Sequence, residues 1–131
     1  MLDHIGFPVS DYPRSRQFYL DVLAPLGYAV VMEIGAETSG DGSRHCGFGK
    51  DSKPDFWIGS GNPGGTRVHV AFTAKSRAAV DAFHRAALQA GAADNGAPGL
   101  RPHYHPDYYG AFVLDPDGHN IEAVFHGEVA E

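Results

Sequence analysis

The sequence predicts an α+β domain built from two tandem βαβββ-like modules, a cupped mixed or antiparallel sheet with helices outside. Three observations carry this. The chain has 17 Gly and 9 Pro in 131 residues, a turn-rich composition that favours strands over a helical bundle. A strand followed by an amphipathic helix occurs twice, and an offset of 65 superposes His4 on His69, Ile5 on Val70, Phe7 on Phe72, Phe18 on Phe83 and Leu23 on Leu88. Asp115-Pro-Asp-Gly118 is a strong turn signal, since Pro presets φ and Gly accepts the positive φ of a tight reversal.

The elements follow in order. Residues 2–9 alternate as a strand, with Ile5, Phe7 and Val9 on one face and Leu2, His4, Gly6 and Pro8 on the other. Ser10 or Asp11 caps a helix that Pro13 helps to start, and its apolar stripe is Phe18, Tyr19, Val22, Leu23 and Leu26, ending at Gly27. Residues 28–34 are rich in β-branched side chains and read as a strand, whereas 35–43 read as a loop. Short strands are expected over 45–49 and 55–59. Module one thus spans 1–60, residues 61–65 form a linker without packing side chains, and module two spans 66–131.

In module two, 67–73 read as a strand, and Ser76 caps a helix whose stripe is Val80, Phe83, Ala87 and Leu88, up to Gly91. A short apolar stretch near Ala92, a loop carrying His103, Tyr104, His105, Tyr108 and Tyr109, and strands over 111–114 and 119–125 complete the plan. Such repetition of one supersecondary unit is what a duplication predicts.

Bulk properties exclude several function classes. About 131 residues suffice for one domain with its own core. The net charge of -6 and the lack of any Lys/Arg run argue against nucleic acid. No apolar run is long enough to span a bilayer, and the start of the chain lacks the pattern of a signal peptide. A single Cys46 forms no intramolecular disulfide. The expectation is a cytoplasmic protein acting on a small molecule, with neither nucleic acid nor membrane as partner.

The residues expected to carry chemistry are few. His4 and His69 occupy equivalent places in the two repeats, which would bring both rings to one central cleft. Glu122 lies in the final apolar strand, where an acid is costly unless paired or ligated. A lone strand histidine is more often a hydrogen-bonded core residue, and a strand Glu often pairs with Arg. The repeat symmetry, together with Glu122, favours metal instead. Two imidazoles and a carboxylate suit one divalent ion, Zn, Ni, Mn or Fe(II), with positions left open for substrate. His103, His105 and Tyr109 are the expected acid, base or hydrogen-bond donors, and Trp57, Arg67 and Tyr109 the expected substrate contacts. A solvated aromatic loop and a charge-neutralising Arg67 are the plainer readings of the same residues. His45, Cys46, His84, His119 and His126 read as surface or structural.

Leu-Asp-His4-Ile-Gly, Ser-Arg-Gln-Phe18-Tyr19, Val-His69-Val-Ala-Phe and Asp115-Pro-Asp-Gly-His-Asn-Ile-Glu122 resemble successive signatures of the vicinal-oxygen-chelate superfamily, which includes glyoxalases, bleomycin-resistance proteins and extradiol dioxygenases. The resemblance covers nearly the whole chain and implies His4, His69 and Glu122 as metal ligands. It also implies a homodimer, in some members with each metal site shared between chains. A metal-dependent enzyme that chelates vicinal oxygens of a small substrate is the leading expectation. It would be a lyase, a dioxygenase or a thiol transferase. A drug- or metabolite-sequestering protein of the bleomycin-resistance type is the alternative. Glutathione-dependent lyase chemistry is a third reading, held back because the fourth ligand of glyoxalase I falls here on Trp57 or Ile58, neither of which binds metal.

Overall fold

A computed structural model describes residues 1–127, so the end of module two as bounded above, 128–131, lies outside the described residues. The chain forms β1 (Ile5–Val9), α1 (Tyr12–Leu23), β2 (Ala29–Ile34), the one-turn α2 (Ala36–Ser39), β3 (His45–Lys50), β4 (Lys53–Ser60), β5 (His69–Thr73), α3 (Arg77–Gln89), β6 (Ala93–Leu100), β7 (Tyr109–Leu114) and β8 (Asn120–Phe125). Two four-stranded mixed sheets result, ordered β1-β4-β3-β2 and β5-β8-β7-β6. In each, the opening strand runs parallel to the last strand of its module, and the other pairings are antiparallel. The two-module α+β architecture read from the sequence is therefore the observed one.

The repeat extends to strand register. Gly6 faces Trp57 across β1 and β4, and Ala71 faces Glu122 across β5 and β8, so both pairs obey the offset of 65. Trp57 is the counterpart of Glu122.

Local chemistry explains the helices. The Asp11 carboxylate accepts the Arg14 N–H at 3.2 Å, and the Ser76 hydroxyl accepts the Ala79 N–H at 3.0 Å. After Leu23 a single 3₁₀ turn, Ala24–Leu26, continues the first helix to Gly27, whose φ of 87° ends it. Phe18, Tyr19, Val22 and Leu23 are buried, as are Val80, Phe83 and Ala87. Leu88 departs from expectation and is 42% exposed. The buried stripe of α3 passes instead through His84, whose Nε2 bonds Asp94 Oδ1 at 2.9 Å.

Each helix covers one face of its own sheet, and α1 and α3 also pack on each other, so both modules share one core. Phe72 of module two sits edge-on to Phe56 and Tyr28 of module one, with ring centroids 5.1 and 5.5 Å apart. Edge-to-face pairs of this kind add about 0.5–1.5 kcal/mol each beyond area burial. A polar tie crosses the same seam. The buried Tyr19 hydroxyl donates to Asp115 Oδ2 at 2.5 Å, while Asp115 Oδ1 accepts the N–H groups of Asp117 and His119. His119, expected at the surface or in a structural role, is buried; its Nδ1 accepts the Val68 N–H and its ring packs on Phe7.

Two elements escape the sequence patterns: the one-turn α2, which lies within the expected loop 35–43, and β6. Strand β6 reads Ala-Asp-Asn-Gly-Ala-Pro-Gly-Leu, with poor strand propensity, and forms because β7 offers a ladder to pair with. Its register slips at Asp94/Gly96 and again at Gly96/Gly99, and β2, the outer strand of the other sheet, slips at Val30/Met32. Strands β1 and β5 begin later than expected, so His4 stands just before its strand and His69 opens its own.

Replacing Tyr19 by Phe leaves the buried Asp115 carboxylate short of one donor, and urea unfolding is expected to show a loss of about 1.5–3 kcal/mol. Burial pushes the Cys46 thiol from its ordinary 9.0 up to about 11. The folded state therefore holds a proton that the unfolded chain releases, and stability falls as pH rises between those values. Alkylation of Cys46 at mildly alkaline pH should be slow in the folded protein and fast in denaturant.

Candidate functional site

With one face of each sheet covered by helices, the opposite faces are open, and strand alternation decides what they display. On module two, Ile121 and Ala123 enter the core, while Asn120, Glu122 and Val124 take the open face. Glu122 is nevertheless only 1% exposed. Its carboxylate lies between the Tyr108 hydroxyl, which donates to Oε2, and His69 Nε2, 3.1 Å from Oε1. Gly110 makes room for this arrangement, since a Cβ there would stand 3.2 Å from Glu122 Oε2 and 3.1 Å from the Tyr108 ring. Burial, then the bond to Glu122, raises the Tyr108 phenol well above its usual range, so it remains a donor at all ordinary pH.

The His69 ring is fixed by its other nitrogen. Nδ1 lies 3.1 Å from the Asn120 carbonyl, which can only accept, so Nδ1 carries a proton, and in the neutral ring Nε2 presents a lone pair. That lone pair faces the carboxylate of Glu122. Two acceptors 3.1 Å apart need a cation or a proton between them. A backbone carbonyl accepting from the outer ring nitrogen is how metal-binding histidines are commonly oriented.

His4 lies elsewhere. Its Nδ1 contacts Asp3 Oδ1 at 2.8 Å, and Lys53 Nζ is 3.1 Å from the same oxygen. The His4 bond, then Lys53, holds the Asp3 carboxyl below its ordinary range. With an acceptor carboxylate on Nδ1, the neutral His4 ring likewise presents Nε2 as a lone pair. His4 and His69 both line a groove of about 570 Å³ between the edge strands β1 and β5, along with Tyr28, Lys50 and Asp55. Among the described residues, however, no three His, Cys, Asp or Glu side chains gather closely enough to hold a metal ion. The chain brings His69 to Glu122 and does not bring His4 to them.

The remaining expected residues are placed as follows. The Tyr109 hydroxyl donates to Asp81 Oδ1 on α3 at 2.6 Å, and Arg77 covers its ring, both on the helix side of the sheet. His103 packs on Tyr104, and Tyr104 on Tyr108. His105 Nδ1 accepts the Asp107 N–H at 3.1 Å, and its ring stands near His126. Arg67 lies against Gly118 of the Asp115–Gly118 turn. Trp57 lies on the open face of module one, in a hollow shared with His4, Gly6, Ile34 and His45. Ile58, the other position weighed for a fourth ligand, is buried in the core.

The partner of Glu122 missed from sequence is Tyr108. Parity held the signal: Phe112 pairs with Glu122, so even-numbered residues of this strand share the face of the carboxylate and Tyr109 points away.

The paired four-stranded modules thus carry a His–Glu pair on the open sheet face of module two. The sequence matches the Glyoxalase/Bleomycin resistance protein/Dioxygenase superfamily over residues 1–123, and the chain belongs to that family. Its fold resembles a glyoxalase/bleomycin resistance protein from Albidiferax ferrireducens T118, with 27% identity, TM-score 0.69, and coverage of 94% of this chain and 96% of that one. It also resembles a glyoxylase/bleomycin resistance protein/dioxygenase domain from Frankia sp. EAN1pec, with 19% identity, TM-score 0.71, and coverage of 95% and 96%. Against glyoxalase I from Zea mays the values are 20% identity and TM-score 0.70, with 95% of this chain matching 46% of that one. No curated protein matches the sequence. No helix among the described residues is long and apolar enough to cross a membrane.

Replacing Tyr108 by Phe strips a buried carboxylate of its hydroxyl donor. Urea unfolding is expected to show a loss of about 1–3 kcal/mol, whereas Tyr104→Phe, at an exposed ring, should cost little.

Proposed function

We propose that the protein is a divalent-metal-dependent enzyme that binds two adjacent oxygens of a small substrate, with His69 and Glu122 as two metal ligands. The observation that carries this reading is the facing of two acceptors, His69 Nε2 and Glu122 Oε1, at 3.1 Å with the outer nitrogen of the ring already engaged by a carbonyl. A neutral imidazole and a buried carboxylate fit Zn, Ni, Mn or Fe(II).

The third ligand in this proposal is His4 of a second copy. The inner faces of the two modules share one core, the open faces point away from it, and His4 does not reach Glu122 within its own chain, so a homodimer that sets module one of one copy against module two of the other completes the set. When bound, the ion would supply Lewis-acid stabilisation of negative charge on the substrate oxygens. The chain's own residues do the rest. Tyr108 holds the carboxylate and limits access of water to it, and the Asn120 carbonyl keeps the His69 lone pair directed at the site. His103 and His105, in the loop that delivers Tyr108, are the imidazoles on hand for proton transfer. Arg67, at the Asp115–Gly118 turn, is the cation on hand for an anionic substrate.

Protein purified without chelators is expected to hold about one divalent ion per chain, and His69→Ala and Glu122→Ala should each abolish it. Mixing His4→Ala with Glu122→Ala chains should restore metal to one site per mixed dimer, because each chain lacks what the other supplies. Failure of wild type to bind metal would instead favour a sequestering protein on the same scaffold.

A further inference from the structure

Among the buried polar groups that the site does not account for, His119 is the one whose bonds lead toward it. The ring is 2% exposed and packs on Phe7, with centroids 4.7 Å apart. Its backbone is held twice by Asp115, whose Oδ1 accepts the His119 N–H at 2.8 Å and whose N–H donates to the His119 carbonyl at 3.0 Å. Asp115 is in turn tied to Tyr19 of α1. Both modules therefore fix this imidazole before it touches anything of the site.

Nδ1 of His119 accepts the Val68 N–H at 3.1 Å. A backbone amide can only donate, so Nδ1 presents a lone pair and the ring proton sits on Nε2. Nε2 is buried and has no protein partner among the described residues. An unpaired buried N–H is costly, so what the ring contributes here is the acceptor at Nδ1.

That acceptor falls where the chain needs one. Val68 comes just before β5, and residues 61–68 form neither helix nor strand. The Val68 carbonyl accepts the Asn120 N–H at 2.9 Å, ahead of the parallel pairing of β5 with β8. No backbone carbonyl among the described residues accepts the Val68 N–H, and His119 supplies the missing rung from a side chain. With both polar groups of Val68 engaged, the backbone enters His69 in one orientation. The His69 ring is then delivered to the Asn120 carbonyl on one nitrogen and to Glu122 on the other.

We propose that His119 is a positioning residue for His69, holding through the Val68 N–H the backbone from which that ring reaches Glu122. This rests on the function proposed above in taking His69 and Glu122 as metal ligands, whereas the clamp itself needs no ion.

The test compares His119→Asn with His119→Gln. Both are neutral amides, but Asn carries its oxygen on Cγ, as His carries Nδ1, and Gln carries it one bond further out. In chelator-treated protein labelled at its histidine nitrogens, the Nδ1–H of His69 is expected as a slowly exchanging resonance that is absent from His69→Gln. His119→Asn should keep that resonance, and His119→Gln should lose it to solvent exchange. Zinc affinity, read by competition with a chelating dye, should stay within about threefold of wild type in His119→Asn and fall about tenfold or more in His119→Gln. His84→Leu removes a different buried imidazole, bonded to Asp94, and should change neither readout. The wild-type spectrum should also show His119 protonated on Nε2 and not on Nδ1; the reverse would overturn the proposal whether or not the variants fold. So would a kept resonance or unchanged zinc affinity in His119→Gln, loss of either in His119→Asn, equal losses in His84→Leu, or no such resonance in wild type. If wild type binds no zinc, the metal reading falls and the resonance alone decides. Kept in His119→Asn and lost in His119→Gln, it leaves His119 as the residue that positions His69.

Discussion

The packing of α1 against α3 governs what each sheet can do. Because both helices and the inner faces of both sheets go into one core, each sheet keeps a single free face, and on those faces stand Glu122 with its partners His69 and Tyr108, and Trp57. Phe56, Phe72 and Tyr28 close the seam by edge-on contacts, and the Tyr19 bond to Asp115 closes it with polar groups. A tie of that kind has direction as well as strength, since a buried phenol and carboxylate lose far more by slipping apart than two methyl groups do. The orientation of the modules is thereby fixed, and so is where the open faces point.

The two faces have diverged within a shared frame. The register that places Glu122 opposite Ala71 also places Trp57 opposite Gly6, and the register that places Phe112 beside Glu122 places Gly47 beside Trp57. One module thus has a large residue on β7 and an acid on β8. The other has no side chain on β3 and an indole on β4. Exchanging large and small partners across one ladder converts a charged half-site into a flat apolar one without disturbing the core on the other side.

Much of this was legible in the sequence because period-two alternation and an internal repeat are strong signals. Both helices start at the expected caps, and the expected final strand carries Glu122. What was not legible has identifiable causes. Strand β6 has almost no intrinsic preference for extended structure, and only its partner β7 makes it a strand. Tyr108 and Tyr109 are adjacent, and choosing between them needed the strand's parity carried back three residues beyond its expected start at 111. The placement of His4 apart from Glu122 depends on how two modules dock, which no local pattern encodes. His119 gave no sequence signal, because its ring accepts an amide that lies 51 residues away in the chain.

The irregular outer strands bear on how the protein behaves when concentrated. A long regular edge offers a row of free amide and carbonyl groups that can template runaway sheet growth between molecules. Strand β2 has a register slip near its middle, and β6 has two slips and a proline that cannot donate to a ladder. At these two edges the ladder is interrupted, while the opposite edges, β1 and β5, are only five residues long. The same poor strand-formers that made β6 hard to foresee guard against fibrous aggregation and help a sheet-rich chain remain dispersed in a crowded solution.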